Sequence, residues 1–328
     1  MQIAIAEIER ISEKALAAHG AGTWQAREVA RAIARAEETG NVICGLYYLE
    51  SYCRQLLSGR VNGTVDPVVT QPRPGTVLAD ARLGFAQPAF ARAFEPAVAA
   101  ARACGIASLA VCHSHTCTSL GFFTEQIAAA GLIGLGVTNA SAIVAGPGGR
   151  LPVIGTNPVA FTIPGADGPA MHADFSTAAV ALGKITMAKA AGEAIPPGWA
   201  VDREGRPTTD PEAALAGSLV SAAGYKGWAL GLLAEFLAAG LTGSVNALDV
   251  RALKAEGGPP HDLGQFYILI DPGPASDTLA SRIARVAEAI AEDPQVRIPG
   301  AGRRPRAMVD VAPDLWATVA ALAARQPG

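Results

Sequence analysis

Charge and aromatics are scarce in this 328-residue chain: 17% of residues are Asp, Glu, Lys or Arg and 5% are Phe, Trp or Tyr, whereas half are apolar. That balance excludes a disordered or coiled-coil chain and fits a compact enzyme with a substantial core. Basic excess is missing too. A formal net charge of −3 and a pI near 6.0 argue against an electrostatic nucleic-acid binder, and the short cluster Arg303, Arg304, Arg306 reads as a solvated tail. Five cysteines, an odd number without paired metal spacing, do not make a disulfide framework. His113, His115 and Cys117 alternate in a way that suits zinc, but no fourth ligand is evident, so no metal is expected.

Targeting and spanning segments are lacking in the same way. The opening residues have no basic stretch followed by an apolar core, so no signal peptide is expected. The most apolar run, Trp228 to Leu241, is shorter than the roughly 20 residues that span a bilayer and reads as a buried helix. A cytoplasmic chain without a membrane partner is the expectation. Also absent is a strand followed by G-x-G-x-x-G opening a helix, the usual dinucleotide fingerprint.

What is present is a mixed α/β pattern. Helical spacing predicts helices around Ala4 to His19, Trp24 to Thr39 and Leu46 to Leu57. A Pro-rich stretch from Pro67 to Pro74 breaks that pattern and predicts a linker at a domain boundary. Beyond it, a strand at Val77 to Ala79, a helix from Pro88 to Cys104 and strands at Ser108 to Cys112, Ile133 to Thr138, Val159 to Ile163, His172 to Phe175 and Gln265 to Ile270 are expected. An amphipathic helix from Ala275 to Glu292 and a short one near Asp314 to Ala324 follow.

Chemistry concentrates between Ala110 and Pro164. His113 to Ser119 is a polar turn before a helix, where free N–H groups and the helix dipole favour an anion. Ser114 or Thr118 could equally just cap that helix. Asn139 follows a strand-like run, and Gly155-Thr156-Asn157-Pro158 forms a turn whose hydroxyl and amides either face a ligand or only shape the chain. Asp174 could bond a ribose or cap the run that follows it.

Read in order, Ser114-His115 with Gly121-Phe122-Phe123, then GLIGLGVTN, GPGGRLPVIGTNPVAF, ADFSTAAVALGKI, IPPGWAVDREGRPTTDPEAALAG and GYKGWALGLLAEFLAAGLTG resemble the type-2 malate/L-lactate dehydrogenase family. The resemblance is most distinct over Gly105 to Gly243, and it points to the branch of sulfolactate and malate dehydrogenases, with cyclic imino-acid reductases as relatives. It implies an α/β fold with a non-Rossmann, largely antiparallel cofactor domain (76–275) and a helical substrate and dimer domain from both ends (1–75 with 276–328). It further implies a homodimer that binds NAD or NADP and transfers hydride between the nicotinamide and the 2-position of a 2-hydroxy or 2-oxo acid.

Residue by residue, the resemblance makes His115 the acid/base. It places Thr116, Thr118 and Ser119 at a cofactor phosphate, with Asn139, Thr156, Asp174, Ser176 and Thr177 along the cofactor and Lys226 on a phosphate. Arg303 falls in a loose match near the adenosine end, and Asn157 orients the substrate pocket. One segment departs: where relatives carry Ser-His-Gly-x-x-Arg, this chain has Ile43, Cys44 and Tyr48. Cys44 is a weak proton donor and Tyr48 carries no charge for a carboxylate. A less anionic or more apolar substrate, reduction of a cyclic imino acid such as piperideine- or pyrroline-2-carboxylate, or a non-catalytic cofactor-binding relative would each accommodate that change.

Overall fold

The computed structural model describes residues 1–326. Strand β1 (Gln2–Ala4) leads into α1 (Ile5–Ala18), α2 (Thr23–Thr39) and, after a 3₁₀ turn at Val42–Cys44, α3 (Leu46–Leu57). Then come β2 (Val68–Arg73), β3 (Thr76–Asp80), α4 (Ala86–Cys104), β4 (Ile106–Ser114), α5 (Gly121–Ala129), β5 (Ile133–Thr138), β6 (Val144–Ala145), β7 (Pro152–Ile154), β8 (Val159–Gly165) and β9 (Gly168–Phe175). The chain continues through α6 (Leu182–Ala191), β10 (Ala200–Val201), β11 (Pro207–Thr208), α7 (Pro211–Ala216), β12 (Ser218–Leu219) and α8 (Tyr225–Glu235). It closes with β13 (Leu263–Ile270), α9 (Ser276–Ala291), β14 (Met308–Asp310) and α10 (Pro313–Ala324).

Seven strands form the main sheet in the order β2-β3-β4-β13-β5-β8-β9, antiparallel except for the β3–β4 pair. The sheet buries Val77, Leu109, Val111 and Tyr267 against Phe90 of α4 and Phe123 and Ile127 of α5. Glycines thin β5 to make room: a side chain at Gly136 would meet the Tyr267 ring at 2.8 Å. On β13, a Cβ at Gly264 would run into the carbonyl oxygen of Ala238 and the hydroxyl of Thr242.

A second cluster joins the two ends of the chain. Ile8, Leu16, Ile33 and Leu49 from α1 to α3 pack with Val309, Val311, Val319 and Ala323, and β1 pairs antiparallel with β14. The Gly40 N–H, in a left-handed conformation (φ +81°), closes α2 onto the carbonyls of Ala36 and Glu37. A third, smaller core lies under a five-stranded sheet ordered β11-β10-β12-β6-β7.

Two expectations are corrected here. Pro67 to Pro74 is no linker: most of it is β2, an edge strand, the one place in a sheet where Pro72 can sit without breaking a ladder bond on both sides. The run from Trp228 to Leu241 is not a buried helix either. It is α8 followed by a π-helical turn at Phe236–Gly240; the small residues Gly231, Ala234, Ala238 and Ala239 face inward together with Glu235, while Leu230, Leu233 and Phe236 are 42%, 50% and 63% exposed. The amphipathic α9 also has no buried residue among those described. None of the described helices is long and apolar enough to cross a membrane.

Candidate active-site cleft

A cleft of about 990 Å³ opens between the end of α2, the start of α5, strand β9 and the segment 297–306. Asp174, the penultimate residue of β9, lies on its floor. The first N–H of α5, on Gly121, donates to Asp174 Oδ2 at 2.8 Å, and the Ser119 hydroxyl donates to the same oxygen at 3.0 Å. Glycine is needed at 121 because the His172 ring and Asp174 Cβ press on it, at 2.8 and 3.1 Å from where a Cβ would stand. The helix terminus expected to be free for an anion is therefore already served by a carboxylate of the protein. Neither alternative cap is used: the Ser114 hydroxyl donates to the Leu263 carbonyl at 2.9 Å and that of Thr118 to the Cys117 carbonyl.

Burial pushes the Asp174 carboxyl up, while the Gly121 N–H and the Ser119 hydroxyl pull it back; the balance remains above the ordinary value. Around it the cleft is cationic. Arg35, Arg297, Arg303 and Arg306 all line it. Glu125 gathers three of its walls, accepting from Arg35 Nε at 2.7 Å and lying 3.7 Å from both His172 Nε2 and Arg303 Nη1. Arg303, Arg304 and Arg306 are exposed, as expected of a solvated cluster, but the segment that carries them is not a free tail: the His172 N–H donates to the Pro299 carbonyl at 2.9 Å, which holds it along β9.

Cys44 and Tyr48 approach from the helical side. The Cys44 thiol is raised to about 12, chiefly by burial and further by the Asp174 carboxylate beside it; burial likewise raises Tyr48 to about 12. The Lys254 ammonium stands 3.3 Å from the ring centre of Tyr47 and 4.7 Å from that of Tyr48. It returns a positive charge to the neighbourhood in which the resembled family carries arginine.

His115 sits deeper. It is 1% exposed, its Nε2 pairs with Gln55 Oε1 at 2.6 Å, its ring stacks on His261 at 4.1 Å, and its Nδ1 is buried without a hydrogen-bond partner. Burial lowers its pKa well below the ordinary 6.5, and proximity to the His261 ring and the Arg60 guanidinium lowers it further. Burial also takes His261 down to about 3 and lowers His172. A histidine held neutral in the fold takes up protons more readily when unfolded, so stability is full above pH 6.5 and is lost as pH falls below it. Urea unfolding at pH 7, 6 and 5 should show this loss, at up to about 1.4 kcal/mol per pH unit for each such histidine.

Among the residues expected at the site, Ser119, Asp174 and Arg303 line the cleft, with Cys44 beside them. The Gly-Thr-Asn-Pro turn lies elsewhere and knits framework. Asn157, fully buried at φ +29°, donates to the Gly231 carbonyl and to Glu235 Oε2 and accepts from the Ala140 N–H. Thr177 and Ser176 donate to the Thr156 carbonyl, and Asn139 ties β5 to Val245 and Gly264. Thr116 is half-buried and does not line the cleft, and Lys226 is exposed at the start of α8. Arg35, Glu125, His172 and Lys254 went unnoticed in the sequence. For His172 a signal existed, since it lies two residues before Asp174 and so on the same face of its strand.

Residues 3–310 match the model of the malate/L-lactate dehydrogenase family. The chain belongs to that family. A (2R)-3-sulfolactate dehydrogenase (NADP(+)) of Chromohalobacter salexigens is 39% identical over 302 residues, covering 92% of this chain and 90% of the relative. A Δ1-pyrroline-2-carboxylate reductase of Ancylobacter novellus is 37% identical with the same coverage of both. Among solved structures, Δ1-piperideine-2-carboxylate reductase from Pseudomonas syringae superposes with a TM-score of 0.90 at 31% identity, over 98% of this chain and 99% of that one. Family membership makes this chain an oxidoreductase, with the mixed α/β, mostly antiparallel fold described above.

Proposed function

We propose that this member of the family reduces a cyclic 2-imino carboxylate with a nicotinamide dinucleotide, NADPH or NADH, and that the cleft around Asp174 is where it does so. The observation that carries this reading is a half-buried carboxylate held by two donors, whose neighbour His172 is lowered by burial and so is a poor source of a proton. Reduction of a 2-oxo acid leaves an alkoxide that must be protonated. His115, held neutral by burial, and Cys44, with a thiol near 12, are poorly suited to that task. A protonated imine brings its own proton and calls instead for an anion to accept its N–H, which is what Asp174 offers between the Gly121 N–H and the Ser119 hydroxyl.

The residues present fit the dinucleotide and its substrate. Arg297, Arg303 and Arg306 offer cationic, fork-shaped donors for phosphates, and Lys254 over Tyr47 and Tyr48 offers a charge for the substrate carboxylate. When bound, the reduced nicotinamide supplies hydride. The protein's part is to orient the imine N–H on Asp174 and to exclude water. Thr118 and Ser119 border the same region; Lys226 keeps the phosphate role and Thr156 the cofactor role that the family pattern suggests, the Thr156 carbonyl meanwhile accepting from Ser176 and Thr177. The exposed apolar faces of α8 and α9 support a homodimer, with 1–75 and 276–328 forming the substrate and dimer domain and 76–275 the cofactor domain.

A second reading has its own observation. His115 Nδ1, buried without a partner, could serve a 2-hydroxy or 2-oxo acid as acid/base, as the likeness to a sulfolactate dehydrogenase suggests. Steady-state oxidation of NADPH and NADH against pyrroline- and piperideine-2-carboxylate and a panel of 2-oxo acids decides between the two. Imines should be turned over with kcat/KM at least about tenfold higher, and the opposite ranking would return the assignment to the oxo acids. Tight cofactor binding with no turnover at all would mark a non-catalytic relative.

A further inference from the structure

We infer that Asp80, Cys112 and His113 form a binding site for a borderline transition-metal cation of the Zn²⁺ or Co²⁺ type, apart from the cleft. A carboxylate oxygen, the Sγ and a ring nitrogen of these three residues all lie within 4.8 Å of one another. Thiolate, imidazole and carboxylate are the donors that borderline divalent ions prefer, at about 2.3 Å for sulfur and about 2.0–2.2 Å for nitrogen and oxygen. Small side-chain movements would close the set around one ion and leave a fourth position for water.

The backbone brings the three together by a particular route. Strands β3 and β4 run parallel with Asp80 in register with Cys112, which puts the carboxylate beside the thiol. Cys112 and His113 are consecutive, and in a regular strand they would point to opposite faces. His113 instead adopts φ +51°, which breaks the alternation at the end of the strand and turns its ring toward the same corner. The chain after β3 is pinned there, the Ala81 N–H donating to the Cys112 carbonyl at 2.9 Å and the Leu83 N–H to the His113 carbonyl at 2.7 Å.

The imidazole is also held as a ligand would be. Asp262, just before β13, places Oδ1 2.8 Å from His113 Nδ1, and the His113 N–H donates to the Ser244 hydroxyl at 2.9 Å. A carboxylate on one ring nitrogen fixes the ring, raises its basicity and leaves the other nitrogen free for a cation. Cys112 is buried while the His113 side chain is 38% exposed, so an ion has a way in and the thiol is sheltered. Binding would release the Cys112 proton and clip β3, β4 and the approach to β13 together. The alternating His113, His115 and Cys117 have different surroundings: His115 faces Gln55 and His261, and the Gln87 side chain donates to the Cys117 carbonyl.

The test is a titration of the untagged full-length protein with Co²⁺, read by absorbance. One equivalent should give visible bands of a tetrahedral centre and a near-ultraviolet thiolate-to-cobalt charge-transfer band, both displaced by Zn²⁺. Cys112→Ser should abolish the charge-transfer band, Cys117→Ser should keep it, and Asp262→Asn, which removes no ligand and perturbs only partly exposed surface, should weaken affinity about 10- to 100-fold. Absence of the band in the unmutated protein, or its survival in Cys112→Ser, would overturn the assignment. So would unchanged affinity in Asp262→Asn together with unchanged affinity in Asp80→Asn.

Discussion

Asp174→Asn should lower kcat/KM for a cyclic imino acid by about 10²- to 10³-fold, the loss typical of removing one preorganised electrostatic partner, about 2.7–4 kcal/mol. The substitution preserves size, and the amide oxygen can still accept from the Gly121 N–H and the Ser119 hydroxyl, so the fold of β9 against α5 should survive. What disappears is the negative charge facing the iminium. NADPH affinity, measured by fluorescence titration, should change by no more than a few-fold, because the four arginines of the cleft remain. The pH profile supplies a readout that a structural role would not move. In the unmutated enzyme kcat/KM should fall as acid protonates Asp174, beginning above the usual carboxylate range because burial raises that group. In Asp174→Asn this limb should vanish. If the variant keeps its rate within threefold, Asp174 is not the partner of the substrate nitrogen.

Gly264→Ala should be the most damaging single methyl in the main sheet, costing about 3 kcal/mol or more, at the upper end of overpacking penalties. Strand β13 lies at the centre of the seven strands, hydrogen-bonded on both sides to β4 and β5. At Gly264 the π-helical turn that follows α8 comes so close that the new Cβ would occupy the space of the Ala238 carbonyl oxygen and the Thr242 hydroxyl. Neither obstacle is the far end of a flexible side chain. Relief would require β13 to move away from its neighbours, breaking the Asn139 contact at the Gly264 N–H and that of Thr138 at its carbonyl. Urea unfolding of the purified variant gives the comparison. A midpoint within experimental scatter of the parent would mean that the turn yields where the packing says it cannot.

Long periodic elements were legible from residues alone. The apolar spacing of α1 and α2 placed both helices within a residue or two, and Ile133 to Thr138 came out as a strand with its observed bounds. The five-stranded sheet was not legible, because strands of two or three residues are too short to show a period. Pro72 disguised β2, since a proline says where a strand sits in a sheet only once the sheet is known. In the site, local motifs pointed to Ser119, Asp174 and Cys44, but not to how they meet. Asp174 reaches α5 from 53 residues away, and Lys254 reaches Tyr48 from a loop some two hundred residues on, distances at which spacing carries no signal. The turn at Asn157 looked ligand-facing because amide and hydroxyl side chains serve a backbone framework as readily as a ligand.

The pairing of β1 with β14 has a bearing on synthesis. Gln2 reaches Asp310 across 308 positions, so Ile8, Leu16 and Leu49 cannot be sealed until nearly all of the chain has left the ribosome. At about 5–20 residues per second, the apolar faces of the first helices wait many seconds for their last partners. Such a fold favours slow, late closure over growth from its leading end, and during that interval chaperones have their longest access to it.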